Sequence, residues 1–237
     1  MENILTLLSF GDEGWGDEIF SGVRVTISLS LATLPFGLLL GFFIALGKKS
    51  QERQLRIAAD IYTTVFRGLP ELLTLFLVYY GIQIGLSELF ELMGLSFRVE
   101  INAFVAGMIA LSLVFSAFCS EVLLSAFKAI PQGQYEASAA LGLRPSQTMW
   151  FIILPQLIRI ALPGLGNLWM ILLKDTALVS VIGLADILRQ TGIAARVTKE
   201  AFLFFGIGCL LFLILAVLSS IVISAIENWA RRAEVNR

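Results

Sequence analysis

The chain has 237 residues, 57% of them hydrophobic and only 15% charged, and its mean hydropathy is +0.86. Soluble domains carry about 25% charged residues, so the composition excludes an ordinary soluble domain and a disordered chain. The formal charge is −1 and there is no His. That leaves no basic field for nucleic acid and excludes Ser-His-Asp chemistry, Cys-His chemistry and most zinc sites.

A helix needs about 20 mainly apolar residues to cross hydrocarbon. Residues 25–46 contain no charge, and neither do 72–87, 101–120 or 201–226. Residues 161–173 are also uncharged, but Lys174 and Asp175 interrupt that run before it resumes at 176–185. The pattern predicts five spans, at about 22–47, 65–87, 101–120, 160–186 and 201–226, in a single all-α polytopic membrane domain. The acidic segment before the first run (Asp12, Glu13, Asp17, Glu18) is unlike a signal peptide and reads as a short surface helix. Cys119 and Cys209 lie inside apolar runs and read as inert thiols, not as disulfide partners.

Orientation follows from Lys and Arg in short loops. Ten of them (Lys48, Lys49, Arg53, Arg56, Lys128, Arg144, Arg159, Arg231, Arg232, Arg237) fall on one side of a five-span chain. Five (Arg24, Arg98, Arg189, Arg196, Lys199) fall on the other. The N-terminus is therefore expected outside and the C-terminus in the cytoplasm. Gly37 and Gly41, following Pro35, make a small-xxx-small pair suited to close helix approach, within the chain or between subunits. The stretch from Gly41 to Lys48 superficially suggests a phosphate loop. It has five residues between its glycines instead of four, and Lys49 stands where Ser or Thr would bind magnesium. The chain is expected to bind no ATP, no metal and no other cofactor itself.

The loop at 128–159 is the most informative segment. Pro131 suits the first turn of a helix, and Gly142 suits its left-handed stop. Pro145 and Ser146 then start another helix, with Ser146 as N-cap. Between them lies a short helix carrying Glu136, Ala137, Ala139 and Ala140. A helix so rich in Ala can enter a cleft of another protein. On its residues alone it reads equally well as a docking helix or a membrane-surface helix.

Residues 136–155 resemble the EAA loop of ABC-importer permeases, Glu-Ala-Ala-x3-Gly-x9-Ile-x-Leu-Pro. Glu136, Ala137, Gly142, Ile152, Leu154 and Pro155 match, and Ser138 replaces the second Ala. Further stretches are similar to the polar amino acid branch of that family. They are Phe66 to Glu71, Ile130 to Gln134, Leu154 to Gln156, Ala161 to Pro163 and Leu172 to Ser180. Within the branch the chain resembles the permeases of histidine/lysine/arginine/ornithine and octopine type. The resemblance implies a five-helix type I ABC importer transmembrane domain in the bacterial inner membrane, moving polar, basic amino acids or opines by alternating access. It implies no enzymatic activity in this chain, with MgATP held by two partner ATPase subunits. It also implies a homologous permease partner, a sister favoured over a second copy, and a periplasmic amino acid-binding protein. The residues it assigns to ATPase coupling are Glu136, Ala137, Ala140, Leu141, Gly142 and Arg144.

Ionisable residues inside a span are costly and mark functional candidates. Asp175 and Lys174, expected beyond the midplane towards the outside, suit the cation and carboxylate of an amino acid, with Thr176 and Ser180 adding hydrogen bonds. The alternatives are an internal Lys174–Asp175 pair or a Lys174 that snorkels to the interface. Glu71 either lines the pathway or is satisfied by Arg67 one turn earlier. Glu121 reads as an organiser of the loop, and Asp186, Arg189 and Glu200 as ordinary loop charges. An ion-coupled secondary transporter is the rival function, although it would usually show internal repeats. An intramembrane enzyme lacks His and paired catalytic carboxylates.

Overall fold

The computed structural model describes residues 2–11, 14–94 and 100–235, with the side chains at 2, 3, 5 and 231–235 outside that set. Asp12, Glu13, Arg98 and Arg237 therefore fall outside the described residues, as do the side chains of Arg231 and Arg232. The described residues form helices and no strand. In chain order they are α1 (Glu2–Leu7), α2 (Gly16–Lys49), α3 (Arg53–Gly68), α4 (Glu71–Leu92), α5 (Ala103–Ala129), α6 (Gln132–Ala140) and α7 (Pro145–Gln147). A π-helical turn (Thr148–Ile153) leads into α8 (Leu154–Asp175). A 3-10 segment (Thr176–Ile182), α9 (Ile187–Thr198) and α10 (Ala201–Val235) complete the chain. Five helical stretches among the described residues are long and apolar enough to cross a bilayer.

The first span is α2. Asp17 and Glu18 occupy its first turn and Lys48 and Lys49 its last, the placement the helix dipole favours at both ends. Asp17 and Glu18 thus begin the span and do not belong to a separate surface helix. The separate short helix is α1, which precedes them.

The second span differs from the expected 65–87. Leu69 and Pro70 are extended (ψ 139° and 134°), because Pro removes a donor and disfavours helix at the residue before it. Residues 65–68 finish the amphipathic α3, and the span begins at Glu71. It continues to Leu92 because Glu88 and Glu91 lie at its far end, where they need not enter hydrocarbon.

Asn102 caps α5 by accepting the Phe104 N–H at 2.7 Å. This helix runs past the expected end at 120 to Ala129, since Glu121 finds basic partners. The fourth span is also longer than expected. Helical structure starts at Pro145 and stays helical through Lys174 and Asp175. The interruption is therefore a change of pitch from α to 3-10 at Thr176, ended by Gly183 at φ +100°.

The most buried span is α5, packed on α2, α3, α4 and α8. Lipid gives helices no hydrophobic drive to associate, so close packing must hold them. Gly37 and Gly41 supply it within the chain. A Cβ at Gly37 would lie 2.5 Å from the Phe115 ring, and one at Gly41 would lie 2.8 Å from Cys119 Sγ. Tyr62 of α3 donates to the Leu113 carbonyl at 3.1 Å and shares a hydrogen bond with Ser116 Oγ at 2.8 Å. A smaller cluster (Ile19, Ala194, Ala195, Phe204, with Trp15 edge-on to Phe204) joins the start of α2 to α9 and α10. The bundle thus has an α6 end and an α9 end.

Candidate functional sites

At the α6 end, Pro131 precedes the first residue of α6, and the helix closes as a Schellman motif. Gly142 takes φ +74° and donates to the Ala139 carbonyl at 2.9 Å, and the Leu143 N–H reaches Ser138 O at 3.1 Å. The left-handed stop expected at Gly142 is present. The next helix differs slightly from expectation. Arg144, not Ser146, is the N-cap of α7, with Pro145 at its first position, and the Gln147 side chain accepts the Arg144 N–H at 2.9 Å.

Glu136, Ala137, Ala140, Gly142 and Arg144 are exposed, and Leu141 is 79% exposed. They form one surface of small, apolar and charged groups projecting from the bundle. Ser138 is the buried residue of α6, and its hydroxyl donates to the Gln134 carbonyl at 2.6 Å. The departure from the Glu-Ala-Ala pattern therefore faces inward and leaves the outer surface unchanged.

Two polar contacts hold α6 against the spans. Gln156 of α8 donates to Gln134 at 3.3 Å. Lys49, the last residue of α2, donates to Tyr135 Oη at 2.6 Å. The Lys49 ammonium also lies 4.4 Å from the Tyr135 ring centre and 4.7 Å from that of Phe127. Sequence reasoning missed this cluster, because Lys49 and Tyr135 are 86 residues apart.

Next to it, Glu121 binds both Lys48 (2.5 Å) and Arg67 (3.3 Å), and Lys48 also reaches Asp60 at 3.3 Å. These pairs tie α2, α3 and α5 together. The expected alternative for Arg67, neutralising Glu71, is not what the structure builds: its carboxylate partner is Glu121.

The second site lies inside the bundle. Asp175 is partly buried and lines a cleft with Leu111, Val114, Phe115, Phe118, Leu168, Ile171 and Leu172. Its neighbours on α5, Leu111 to Phe118, lie in the middle of that helix. Glu71 and Lys174 are the charges that act on it. No Asp175–Lys174 ion pair forms among the described residues, and Lys174 is exposed.

Thr176 does not join this wall. It is fully buried, and its hydroxyl donates to the Leu173 carbonyl at 2.7 Å, so its hydrogen-bonding capacity serves the helix. Ser180 is partly buried, with its carbonyl accepting from the Arg189 guanidinium at 3.2 Å. The cleft holds about 20 Å³, room for a water and not for an amino acid.

Asp186 is not an ordinary loop charge. It is fully buried as the N-cap of α9, accepting the Arg189 N–H at 2.9 Å, while its Oδ2 has no partner. Burial pushes its carboxyl up to about 6, against the hydrogen bonds from the start of α9 and the charge of Arg189. An Asp just past Gly183 and ahead of a helical run is an N-cap signature that the sequence did offer.

Residues 37–232 match the model of the binding-protein-dependent transport system inner membrane component family. The chain belongs to this family. It is 40% identical to the nopaline transport system permease protein of Agrobacterium fabrum, over 96% of this chain and 97% of that one. It is 37% identical to the histidine/lysine/arginine/ornithine transport system permease protein of Escherichia coli (91% and 94%). A crystal structure of an amino acid ABC transporter with histidines superposes with TM-score 0.76 at 34% identity (90% and 94%). A methionine ABC transporter in an inward-facing conformation shares the fold (TM-score 0.72, 18% identity, 90% and 95%). The chain is thus an inner-membrane permease component of all-α architecture, as the EAA resemblance implied. The ion-coupled alternative is not favoured.

Proposed function

We propose that this chain is the permease subunit of an ATP-driven importer for polar, basic amino acids or opines. The observation that carries the substrate class is Asp175, a carboxylate in an otherwise apolar cleft between spans three and four. It suits the cation of an arginine-like ligand. Relatives named for nopaline and for histidine, lysine, arginine and ornithine support the same class. Glu71 adds a second negative charge close by, and Lys174 is available to a carboxylate.

A cleft of about 20 Å³ requires the spans to part before a ligand enters. That fits alternating access, in which ligand and nucleotide bias one two-state equilibrium. It also fits a site completed by a second permease, for which we favour a sister chain over a second copy. In this reading the exposed face of α6 (Glu136, Ala137, Ala140, Leu141, Gly142) and Arg144 dock on two ATPase subunits, which hold the MgATP. The α6 end is cytoplasmic and the α9 end meets a periplasmic binding protein, with the N-terminus outside and the C-terminus inside. Lys49, Arg53, Arg56 and Arg144 at the α6 end support that orientation.

The test is uptake of labelled arginine, octopine and nopaline by proteoliposomes carrying the permeases, the ATPase and the binding protein. Uptake of at least one that requires enclosed ATP and persists with a protonophore is expected. Uptake of none, or uptake driven by an ion gradient without ATP, overturns the reading.

A further inference from the structure

We propose that Lys49 is a positioning residue that passes displacement of α6 to the first and third spans. The inference rests on the reading of α6 as the ATPase-docking helix and goes beyond it by naming the route. Lys48 and Lys49 are consecutive at the end of α2, yet they engage different partners. Lys48 is held by Glu121 and Asp60, which lock α2 to α3 and α5. The Lys49 ammonium instead lies 4.7 Å from the ring centre of Phe127, at the end of α5, and donates to the hydroxyl of Tyr135, in the first half of α6. Three elements thus meet at one cation: span one, span three and α6.

The chain between α5 and α6 is only Ile130 and Pro131, with Ile130 buried. Movement of α6 therefore cannot be absorbed by a slack loop on that side. The other polar anchor of α6 among the described residues is Gln134–Gln156, a neutral contact at 3.3 Å to the fourth span. A cation beside the Phe127 ring that also donates to the Tyr135 hydroxyl is directional as well as attractive. It keeps the Tyr135 side of α6 at a fixed distance from α2 while the Gln134 contact follows α8. Coupling of this kind is carried by packed side chains and ion contacts between rigid elements, and single changes along it modulate coupling several-fold.

The experiment compares Lys49→Met, Lys49→Arg, Tyr135→Phe and the double variant Lys49→Met/Tyr135→Phe in the full reconstituted complex. It reads four quantities: permease in the membrane, ATPase co-purified, basal ATP hydrolysis, and arginine imported per ATP hydrolysed. Lys49→Met is expected to lower arginine per ATP by about three- to tenfold, leaving the first three readings unchanged. Lys49→Arg restores more than half of the loss, since it keeps the cation and a donor. Tyr135→Phe loses less than Lys49→Met, because the contact with the Phe127 ring remains, and the double variant is no worse than Lys49→Met alone.

Unchanged arginine per ATP in Lys49→Met overturns the proposal. So does loss of the co-purified ATPase or of membrane-inserted permease, which would make Lys49 an assembly or folding residue. An additive double variant, or failure of Arg to rescue, also overturns it. A wild-type complex that imports arginine without ATP identifies failure of the parent reading instead, and the inference then falls with it.

Discussion

Glu121 stands between Lys48 and Arg67, 2.5 Å from the first and 3.3 Å from the second. The Lys48 side chain is only 8% exposed, that of Arg67 46%. The two arms of the pair are therefore unequal. Removing the only partner of a buried cation costs several kcal/mol, but Lys48 keeps Asp60 at 3.3 Å when Glu121 is lost, so the cost is smaller; an exposed pair contributes about 1 kcal/mol or less.

Glu121→Gln should accordingly destabilise the permease by about 2 kcal/mol, the full buried-pair figure being discounted because Glu121 is partly exposed and Asp60 still pairs with Lys48. Arg67→Met should cost well under half as much. Thermal unfolding of the detergent-solubilised chain measures both. Equal losses would show that the Lys48 arm carries no special weight.

Gly41 fits against Cys119 because it lacks a side chain. A Cβ there would sit 2.8 Å from both the Cys119 Cβ and Sγ and 3.0 Å from the Ser116 carbonyl. Gly41→Leu must push α2 away from α5, and overpacking of this kind typically costs about 1–3 kcal/mol. The folded yield of the variant should fall and its melting temperature drop. Gly81→Leu, in α4 with no atom within 4 Å of the place a Cβ would take, serves as the neutral comparison. If both glycine variants behave alike, packing between α2 and α5 does not depend on that contact.

Much of the fold is legible in the chain itself. Charge-free runs mark spans because hydrocarbon tolerates few charges, and Gly142 marks a helix end because φ +74° disfavours a side chain. The departures share a different cause. Val65 and Phe66 extend the apolar pattern of span two backwards, while the break is made by Pro70 acting on Leu69. Thr176 is of a type that suits a substrate, although its direction is set by the change to 3-10 pitch. Glu71 is the sequence neighbour of Arg67, whereas Glu121, more than fifty positions away, is its partner in space. Sequence periodicity reports which residues can share a helix face. It carries no signal for contacts such as Lys49–Tyr135 that depend on how helices pack.

Gly142→Asp tests the end of α6. No atom lies within 4 Å of the position a Cβ would take, so crowding is not the obstacle. The obstacle is the positive φ, which costs a non-glycine residue about 1 kcal/mol, joined by a new negative charge near the carbonyl end of α6. The variant should insert normally and co-purify with less ATPase than wild type. Gly142→Asn, which tolerates the left-handed region and adds no charge, should recover most of the association. Full ATP-driven uptake by Gly142→Asp would remove this turn from the docking surface.

Asp186 predicts a pH dependence at the α9 end. Its carboxyl titrates at about 6 in the folded chain and at about 3.9 when unfolded. Between those values the folded state holds the proton more tightly, so stability falls as pH rises through that window. The contribution is fully present below about pH 4 and lost above about pH 6. The melting temperature of the wild-type chain should decline over this interval, and Asp186→Asn, which keeps an acceptor for the Arg189 N–H, should flatten that decline. A variant with the wild-type slope would assign the dependence to other carboxylates.

Asp175→Asn bears most directly on what the permease carries. The substitution keeps size and hydrogen bonding and removes only the charge. A hydrogen bond to a charged group contributes about 1.5–3 kcal/mol, against about 1 kcal/mol for a neutral one. The difference corresponds to a loss of roughly tenfold for a cationic ligand, with little change for a neutral one of similar shape. Competition between arginine and citrulline in the proteoliposome assay reads this directly, because the two share a backbone and differ in side-chain charge. Arginine should lose its advantage over citrulline in Asp175→Asn, and the corresponding change at Lys174, Lys174→Gln, should weaken both ligands together through their shared carboxylate. If Asp175→Asn lowers arginine and citrulline uptake by the same factor, the Asp175 charge does not meet the side-chain cation, and cation selection must lie with the binding protein or the second permease.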